Sequence, residues 1–156
     1  MRADLVVALF VAASSAAAQA SAKLDAHAAQ AIIAGCVAHS TAKKQSHAIA
    51  VVDSGGHVVA ALRMDGNGSG IMDFSVAKAK AAAAWGFSTE QMLQSSRGTP
   101  GFSEAPNVVI VPGGIPVFDA EGSRLGAVGV SGEAPPDDAA CAEAGIRAAG
   151  FRPTRG

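Results

Sequence analysis

Two short apolar runs on either side of one tight turn constrain the fold of this chain more than any other feature. The runs cover residues 113–118 and 125–132, and the residues between them are Asp119-Ala120-Glu121-Gly122. Apolar runs of this length around a turn predict an antiparallel hairpin. Glycine weakens a strand, so the glycines that recur in the second run indicate close approach by a ligand or by another backbone. We therefore expect this hairpin to form one wall of a binding site.

Helices and short strands follow one another along the rest of the chain. Apolar residues at helical spacing predict helices, and β-branched runs between turns predict strands. Ser88 and Gln91 have the spacing of a capping box at the start of a helix. Short connections favour antiparallel pairing, so the fold class is α+β. We predict helices at 24–41, 72–85 and 88–96 and a last one from Pro135, and strands at 47–52, 57–64, 108–111, 115–118 and 125–131.

The second predicted helix is expected to bury one face against the sheet. Lys78 lies at the border of that face, so its stem can lie on the indole of Trp85 while its ammonium reaches a carboxylate. A lysine that extends into solvent is the alternative. The residues predicted to be buried are Phe74, Ala77, Ala81, Ala84 and Trp85.

The first twenty residues have the pattern of a secretory signal. Arg2 provides a positive charge, residues 5–13 are apolar, and Ala18-Gln19-Ala20 fits a cleavage site. The apolar run is shorter than the roughly 20 residues of a membrane span. We therefore expect residues 1–20 to be removed, a mature chain that starts near Ser21, no membrane span after cleavage, and a periplasmic or secreted location.

The mature chain, residues 21–156, has the length of a single domain. The net charge of −1 and the few aromatic residues argue against nucleic acid as a partner, because neither a basic stripe nor a stacking platform is present. Low charge with abundant alanine and glycine favours tight packing and surface that is hidden in a homo-oligomer. The tail, residues 152–156, is the one segment that we expect to be disordered.

Motifs of known enzyme classes are incomplete. Gly129-Val130-Ser131-Gly132 is one position away from a nucleophile elbow, but no histidine follows Ser131 in the sequence. One catalytic alternative stays open, in which Lys78, Arg63 and Asp53 surround a small organic acid in an isomerase or lyase.

Five sequence blocks, taken in order, resemble the GlcG/HbpS family. The resemblance extends over residues 24–150. The blocks are Val52-Asp53-Ser54-Gly55-Gly56-His57-Val58-Val59 with Arg63-Met64-Asp65-Gly66, then Lys78-Ala79-Lys80-Ala81-Ala82, then Pro112-Gly113-Gly114-Ile115-Pro116, then Gly126-Ala127-Val128-Gly129-Val130-Ser131-Gly132, and finally Asp137-Asp138 before Cys141-Ala142.

The resemblance implies a profilin-like α+β domain, with a five-stranded antiparallel sheet flanked by helices, that forms symmetric oligomers. Family members include secreted haem-binding proteins linked to redox sensing and a domain that binds a tetrapyrrole. The implied function is a non-catalytic protein that binds haem or a similar small molecule, as a redox- or haem-sensing accessory. The candidate ligand-binding residues are His27, His57, Arg63, Lys78, Gly113, Gly114, Ser131 and Gly132.

Histidine is a common axial ligand of haem iron. His27 lies off the apolar stripe of the first helix, so it is either a haem ligand at a subunit interface or an ordinary surface histidine. His57 follows Gly55-Gly56 and either binds iron or orients that turn. The chain has no Cys-x-x-Cys-His, so haem would be bound non-covalently.

Three further residues are candidates for contact with the anionic groups of a ligand. Arg63 either binds a carboxylate or pairs with Asp65. Ser131 and Gly132 either offer a hydroxyl and an N–H to an anion or form a plain turn at the end of a strand.

The two cysteines, Cys36 and Cys141, fall on the first and last predicted helices. In a profilin-like fold these terminal helices pack together. An exported chain can oxidise such a pair to a disulfide, and two buried free thiols are the alternative.

Overall fold

The structure, a computed structural model, describes residues 23–156. The predicted secretory signal lies outside the described residues. A short 3-10 turn at Phe102–Glu104 follows the third helix. The helices and strands are α1 (Ala26–Lys43), β1 (Ala48–Asp53), β2 (Val58–Arg63), α2 (Ser69–Trp85), α3 (Thr89–Gly98), β3 (Gly114–Phe118), β4 (Arg124–Ser131) and α4 (Pro135–Ala148).

Four strands form one antiparallel sheet in the order β2-β1-β4-β3. The α+β class and the hairpin of β3 and β4 are confirmed, and the Ser88–Gln91 capping box is present at the start of α3. The number of strands is different from the five that we predicted. The profilin-like description stays a prediction.

The predicted strand at residues 108–111 is wrong, because this segment forms no ladder. Pro106 and Pro112 bracket it, and neither has an amide hydrogen to donate. Asn107 has a φ of 58°, in the left-handed region, which turns the chain away from an extended path. Ile110 is left 37% exposed.

The edge of β3 is closed to further pairing. The amide of Gly114 donates to Thr89 Oγ1 at 2.9 Å, Pro116 has no amide hydrogen, and Phe118 exchanges two backbone hydrogen bonds with Arg152. Edge strands are commonly protected in this way. The expectation of a disordered C-terminal tail is therefore wrong at Arg152, since the tail pairs with the sheet there.

Helices cover both faces of the sheet. α1 and α4 lie on the face that buries Ile49, Val51, Val128 and Val130. α2 lies on the opposite face, over Ala50, Val52 and Ala127.

Glycine in β4 allows α2 to lie very close to the sheet. A Cβ built on Gly129 would overlap Ser75 O and Ala79 N of α2. The glycines of this strand therefore admit another backbone, which was one of the two readings of the sequence pattern.

The buried face of α2 differs from the predicted one. Ser75, Lys78, Ala79 and Ala82 face the sheet, whereas Trp85 is 38% exposed. The alanines of this helix occur on most of its sides, so hydrophobic periodicity does not indicate which face is buried. The other predicted members of the buried face divide between buried Ala81, half-buried Phe74 and Ala77, and exposed Ala84.

Within residues 23–156, no helix is long and apolar enough to span a membrane.

Candidate functional site

The fold separates the candidate residues into three regions. His57 lies at the end of the sheet where β1 turns into β2. His27 lies at the same end, because Leu24, just before α1, packs beside Gly126. Gly126 in turn pairs with Asp53, the last residue of β1. Arg63, Ser131 and Gly132 lie at the opposite end of the strands. Lys78, Gly113 and Gly114 lie in the interior.

Lys78 is fully buried, so it neither lies at the border of the buried face nor extends into solvent, and the carboxylate that its ammonium reaches is that of Asp138. Its Nζ donates to Asp138 Oδ2 at 2.8 Å and to Val130 O at 2.9 Å, and it lies 4.9 Å from the centre of the Phe74 ring. Burial lowers the pKa of the Lys78 ammonium and raises the pKa of the Asp138 carboxyl, while the contact between them opposes both shifts. Both hydrogen bonds of the ammonium are thus made to groups inside the fold.

The buried polar chain continues from Asp138 to His47 and Ser40. His47 Nε2 lies 3.6 Å from Asp138 Oδ1, and His47 Nδ1 lies 2.8 Å from Ser40 Oγ. Burial lowers the pKa of His47, which favours the neutral imidazole. Ser40, His47 and Asp138 are the residue types of a catalytic triad, but the hydroxyl lies at Nδ1 and the carboxylate at Nε2, the reverse of a triad. All three are buried, and the hydroxyl of Ser40 donates to Cys36 O. This arrangement links secondary-structure elements and offers no substrate access.

Positions 113 and 114 require glycine because Lys78 and α2 pass close to the backbone there. Gly113 has a φ of 124°, and a Cβ there would lie 2.8 Å from Lys78 Nζ and would overlap Val130 O. A Cβ on Gly114 would overlap Lys78 O. The two glycines thus form a packing surface for α2, and the expected ligand wall is occupied by the protein itself.

Asn67 organises the opposite end of the sheet. Arg63 Nη1 donates to Asn67 O, so its partner is a carbonyl rather than Asp65. The amide group of Asn67 donates to Ser46 Oγ at 2.8 Å. Gly132 lies against Asn67 and Ser46, where a Cβ would overlap Ser46 O or approach Asn67 Oδ1 to 2.9 Å.

The enzyme alternative required Lys78, Arg63 and Asp53 around one substrate. Lys78 is buried in the interior, and Arg63 and Asp53 lie at opposite ends of the sheet. The fold does not bring these three residues together.

His57 and Asp53 form an exposed pair at the β1–β2 turn. Asp53 Oδ1 accepts from the backbone N–H groups of Gly55 and His57, both at 2.9 Å, and lies 3.3 Å from His57 Nδ1. These backbone hydrogen bonds, the one from His57 above all, lower the pKa of the Asp53 carboxyl. The His57 side chain is 83% exposed, and its Nε2 is the ring nitrogen on the side away from Asp53.

A cavity of about 280 Å³ opens beside this pair. His57 and Gly56 line one side, Lys80 and Ala84 of α2 line the other, and Asn107 contributes from the loop before β3. An imidazole and an ammonium therefore border the same opening.

His27 lies on the first turn of α1 and is exposed, as the spacing predicted. Asp25 caps this helix by accepting from the amide of Ala28 at 2.9 Å. His27 therefore projects from a well-defined helix start.

Cys36 and Cys141 are joined by a disulfide in the structure, with 4.8 Å between their Cα atoms. The bond links α1 to α4. Gly145 allows this approach, because a Cβ on Gly145 would overlap Ile32 O and lie 3.2 Å from the Cβ of Cys36.

Asp138, His47 and Lys80 were not among the sequence-based candidates. A signal for Asp138 existed, because a lysine inside an alanine-rich helix needs a buried acid once that helix packs on a sheet. The partner could not be chosen, since Lys78 and Asp138 are 60 positions apart.

Comparison with known proteins gives a consistent set of relatives. A protein-family model described as haem degrading protein, HbpS-like, matches residues 24–147. GlcG of Escherichia coli strain K12 is 38% identical over 106 residues, which cover 66% of this chain and 77% of GlcG.

Two solved structures share the fold. A double mutant of HbpS from Streptomyces reticuli superposes with a TM-score of 0.74 at 28% identity, over 91% of this chain and 97% of that chain. A PduOC–haem complex has a TM-score of 0.74 at 21% identity, over 81% of this chain and 95% of that chain. At 21% identity the second likeness concerns the fold alone.

Proposed function

The chain belongs to the HbpS-like family, and from that premise we propose that it binds haem non-covalently at the end of the sheet that carries His57 and His27. The family description names haem, and the PduOC structure with the same fold was determined as a haem complex. The proposed role is binding, in a redox- or haem-sensing accessory protein, and haem when bound supplies iron-centred redox chemistry.

The observation that carries the proposal is the pairing of His57 with Asp53. A histidine that binds a metal through one ring nitrogen commonly presents the other to a carboxylate, which fixes the orientation of the ring and raises its basicity. Asp53 Oδ1 lies 3.3 Å from His57 Nδ1, and the lowered pKa of Asp53 keeps the carboxylate ionised. His57 Nε2 is then the atom that would hold the iron.

Lys80 supports the same assignment from the other side of the cavity. Haem carries two propionates, and charge-assisted hydrogen bonds to carboxylates are among the strong ones. Lys80 lines the cavity together with His57, so one group suits the iron and the other suits a propionate.

His27 is the second candidate for the axial ligand. It is exposed at the same end of the molecule and lies on the first turn of α1, a rigid element. At an interface between copies of the chain, this imidazole could hold the iron from outside the cavity.

A haem titration of residues 21–156 tests the proposal. We expect a saturable Soret band at a stoichiometric ratio that disappears in either His57→Ala or His27→Ala, whichever removes the axial ligand. If His57 is that ligand, Asp53→Asn should weaken haem binding about 10–100-fold, because Asn keeps the turn but loses the charge that orients the ring.

Glu143→Gln is the matched control, since Glu143 is a surface carboxylate that pairs with Arg147 at 2.9 Å on α4. This variant should bind haem like the parent protein. A featureless, non-saturating absorbance response would overturn the proposal. Decay of the Soret band with hydrogen peroxide would show that the bound haem is degraded, in line with the family description.

We also propose that the protein is exported and forms a homo-oligomer. The secretory pattern of residues 1–20 supports export, and the exposed Val58 and Leu62 on the edge strand β2 support contact between copies. The intact mass of protein from a periplasmic extract should correspond to a chain that starts at Ser21. Light scattering on that protein gives the number of subunits.

A further inference from the structure

A second cavity, of about 370 Å³, lies on the other side of the C-terminal end of α2. Trp85, Gly86 and Phe87 form one side of it, and Pro116 and Phe118 of β3 form the floor. Arg124, at the start of β4, and the tail segment Pro153-Thr154-Arg155 complete it. The proposed haem site uses none of these residues.

Two arginines make this cavity strongly cationic. Of the described residues that line it, Arg124 and Arg155 are charged and none is acidic. Within residues 23–156, neither arginine forms an ion pair. Arg124 Nε is buried and has no hydrogen-bond partner in the described part of the chain. A buried donor without a partner costs free energy, so the Arg124 guanidinium keeps hydrogen-bonding capacity that the described residues do not use.

The backbone holds the Arg124 guanidinium in place. Gly86 has a φ of 77° and ends α2, and a Cβ at this position would overlap Arg124 Nη1. The absence of a side chain at residue 86 thus creates the space in which the guanidinium lies. Phe118 pairs with Arg152, which fixes the start of the tail that carries Arg155.

Aromatic rings form the apolar part of the cavity. Trp85 makes edge-to-face contacts with Phe87 at 6.0 Å and with Phe102 at 5.2 Å between ring centres. The guanidinium of Arg155 lies 5.7 Å from the centre of the Phe118 ring. The Trp85 ring is held by a hydrogen bond of 3.1 Å from its Nε1 to Pro106 O and remains 38% exposed.

We propose that this cavity binds a small planar aromatic carboxylate, of which benzoate is the simplest example. Guanidinium groups bind carboxylates through paired N–H donors, and Arg124 and Arg155 both line this cavity. A flat ring suits the Trp85 indole, which is 38% exposed. The cavity volume of about 370 Å³ is sufficient for one aromatic ring with its carboxylate.

Trp85 makes the binding directly measurable, because it is the one tryptophan of the chain. Benzoate should change Trp85 emission in a saturable way and give a matching affinity by calorimetry. Benzamide, which has the ring without the charge, and acetate, which has the charge without the ring, should each bind at least ten-fold more weakly.

Variants identify the residues involved. Arg124→Gln and Arg155→Gln should each weaken benzoate binding at least ten-fold, and Arg124→Lys should weaken it as well because an ammonium lacks the paired donors. Arg147→Gln, on the outside of α4, is the matched control and should bind benzoate like the parent protein. Arg155 is exposed near the C-terminus, so its variant tests the cavity even if Arg124→Gln does not fold.

Benzoate binding at this cavity does not depend on the proposed haem site. His57→Ala and His27→Ala should leave the affinity for benzoate unchanged, so the failure of one proposal can be distinguished from the failure of the other. The proposal is overturned if benzoate produces no saturable signal, if benzamide binds equally well, or if Arg155→Gln binds benzoate like the parent protein.

Discussion

Lys78 and Asp138 form an ion pair in the interior of this protein. Both are at most 2% exposed, and each supplies the counter-charge that the other needs in a medium of low polarity. His47 lies beside the pair, with its Nε2 3.6 Å from Asp138 Oδ1 and its Nδ1 2.8 Å from Ser40 Oγ. A lysine that the sequence suggested for ligand binding therefore acts as a structural residue.

Removing one partner of this pair should destabilise the protein strongly. Lys78→Met leaves the Asp138 carboxyl buried without its counter-charge, and we expect a loss of about 3–5 kcal/mol in the free energy of unfolding. The measurement is urea denaturation followed by circular dichroism. Lys43→Met is the matched control, because Lys43 pairs with Asp137 at 3.7 Å on the surface. It should change stability by less than about 1 kcal/mol, and equal losses in the two variants would contradict the argument.

At the same scale, sequence reasoning placed the exposed His27 correctly but not the buried charges. The position of His27 off the apolar stripe of α1 follows from helical spacing alone. The burial of Lys78 depends on an acidic partner 60 positions away, and no local pattern specifies such a partner.

The contact between α2 and β4 determines how the elements fit together. Alanine and glycine allow the helix backbone to lie almost on the sheet, which removes room for a ligand on that face. The same closeness brings Lys78 from α2 within reach of Val130 O on β4. Glycine was correctly predicted to admit a close neighbour, but the neighbour is a helix.

Gly129→Ala should push α2 away from the sheet. Its Cβ would overlap backbone atoms of Ser75 and Ala79, which cannot move independently of the helix, so we expect a loss of about 1–3 kcal/mol or more. Gly70→Ala is the control within α2 itself, because a Cβ there has nothing within 4 Å. That substitution should stabilise the protein by about 0.4–1 kcal/mol. Denaturation midpoints that shift equally for the two variants would refute the packing argument.

Over the whole molecule, the first and last helices form one layer. α1 and α4 pack on the same face of the sheet, Gly145 brings their backbones together, and the Cys36–Cys141 disulfide joins them across 105 positions. Long loops gain the most from closure in the chain-entropy model of disulfides.

Reduction should therefore lower stability without abolishing the fold. We expect a loss of about 2–4 kcal/mol in the free energy of unfolding, measured by denaturation with and without a thiol reductant. Mass spectrometry should show an increase of about 2 Da on reduction, as two hydrogens are added. The Cys36→Ala/Cys141→Ala double variant should be as stable as the reduced protein and insensitive to reductant. An unchanged mass on reduction would mean that the bond is absent.

Local chemistry was enough to predict the helices, the two hairpins and their antiparallel pairing, since spacing, turn residues and capping act over a few positions. It failed at residues 108–111, where apolar composition suggested a strand but flanking prolines and the left-handed Asn107 prevent a ladder. The buried face of α2, the partner of Lys78 and the cavity between Arg124 and Arg155 were decided by the tertiary structure. Each depends on which distant segments come into contact, and a single sequence carries no local signal for that choice.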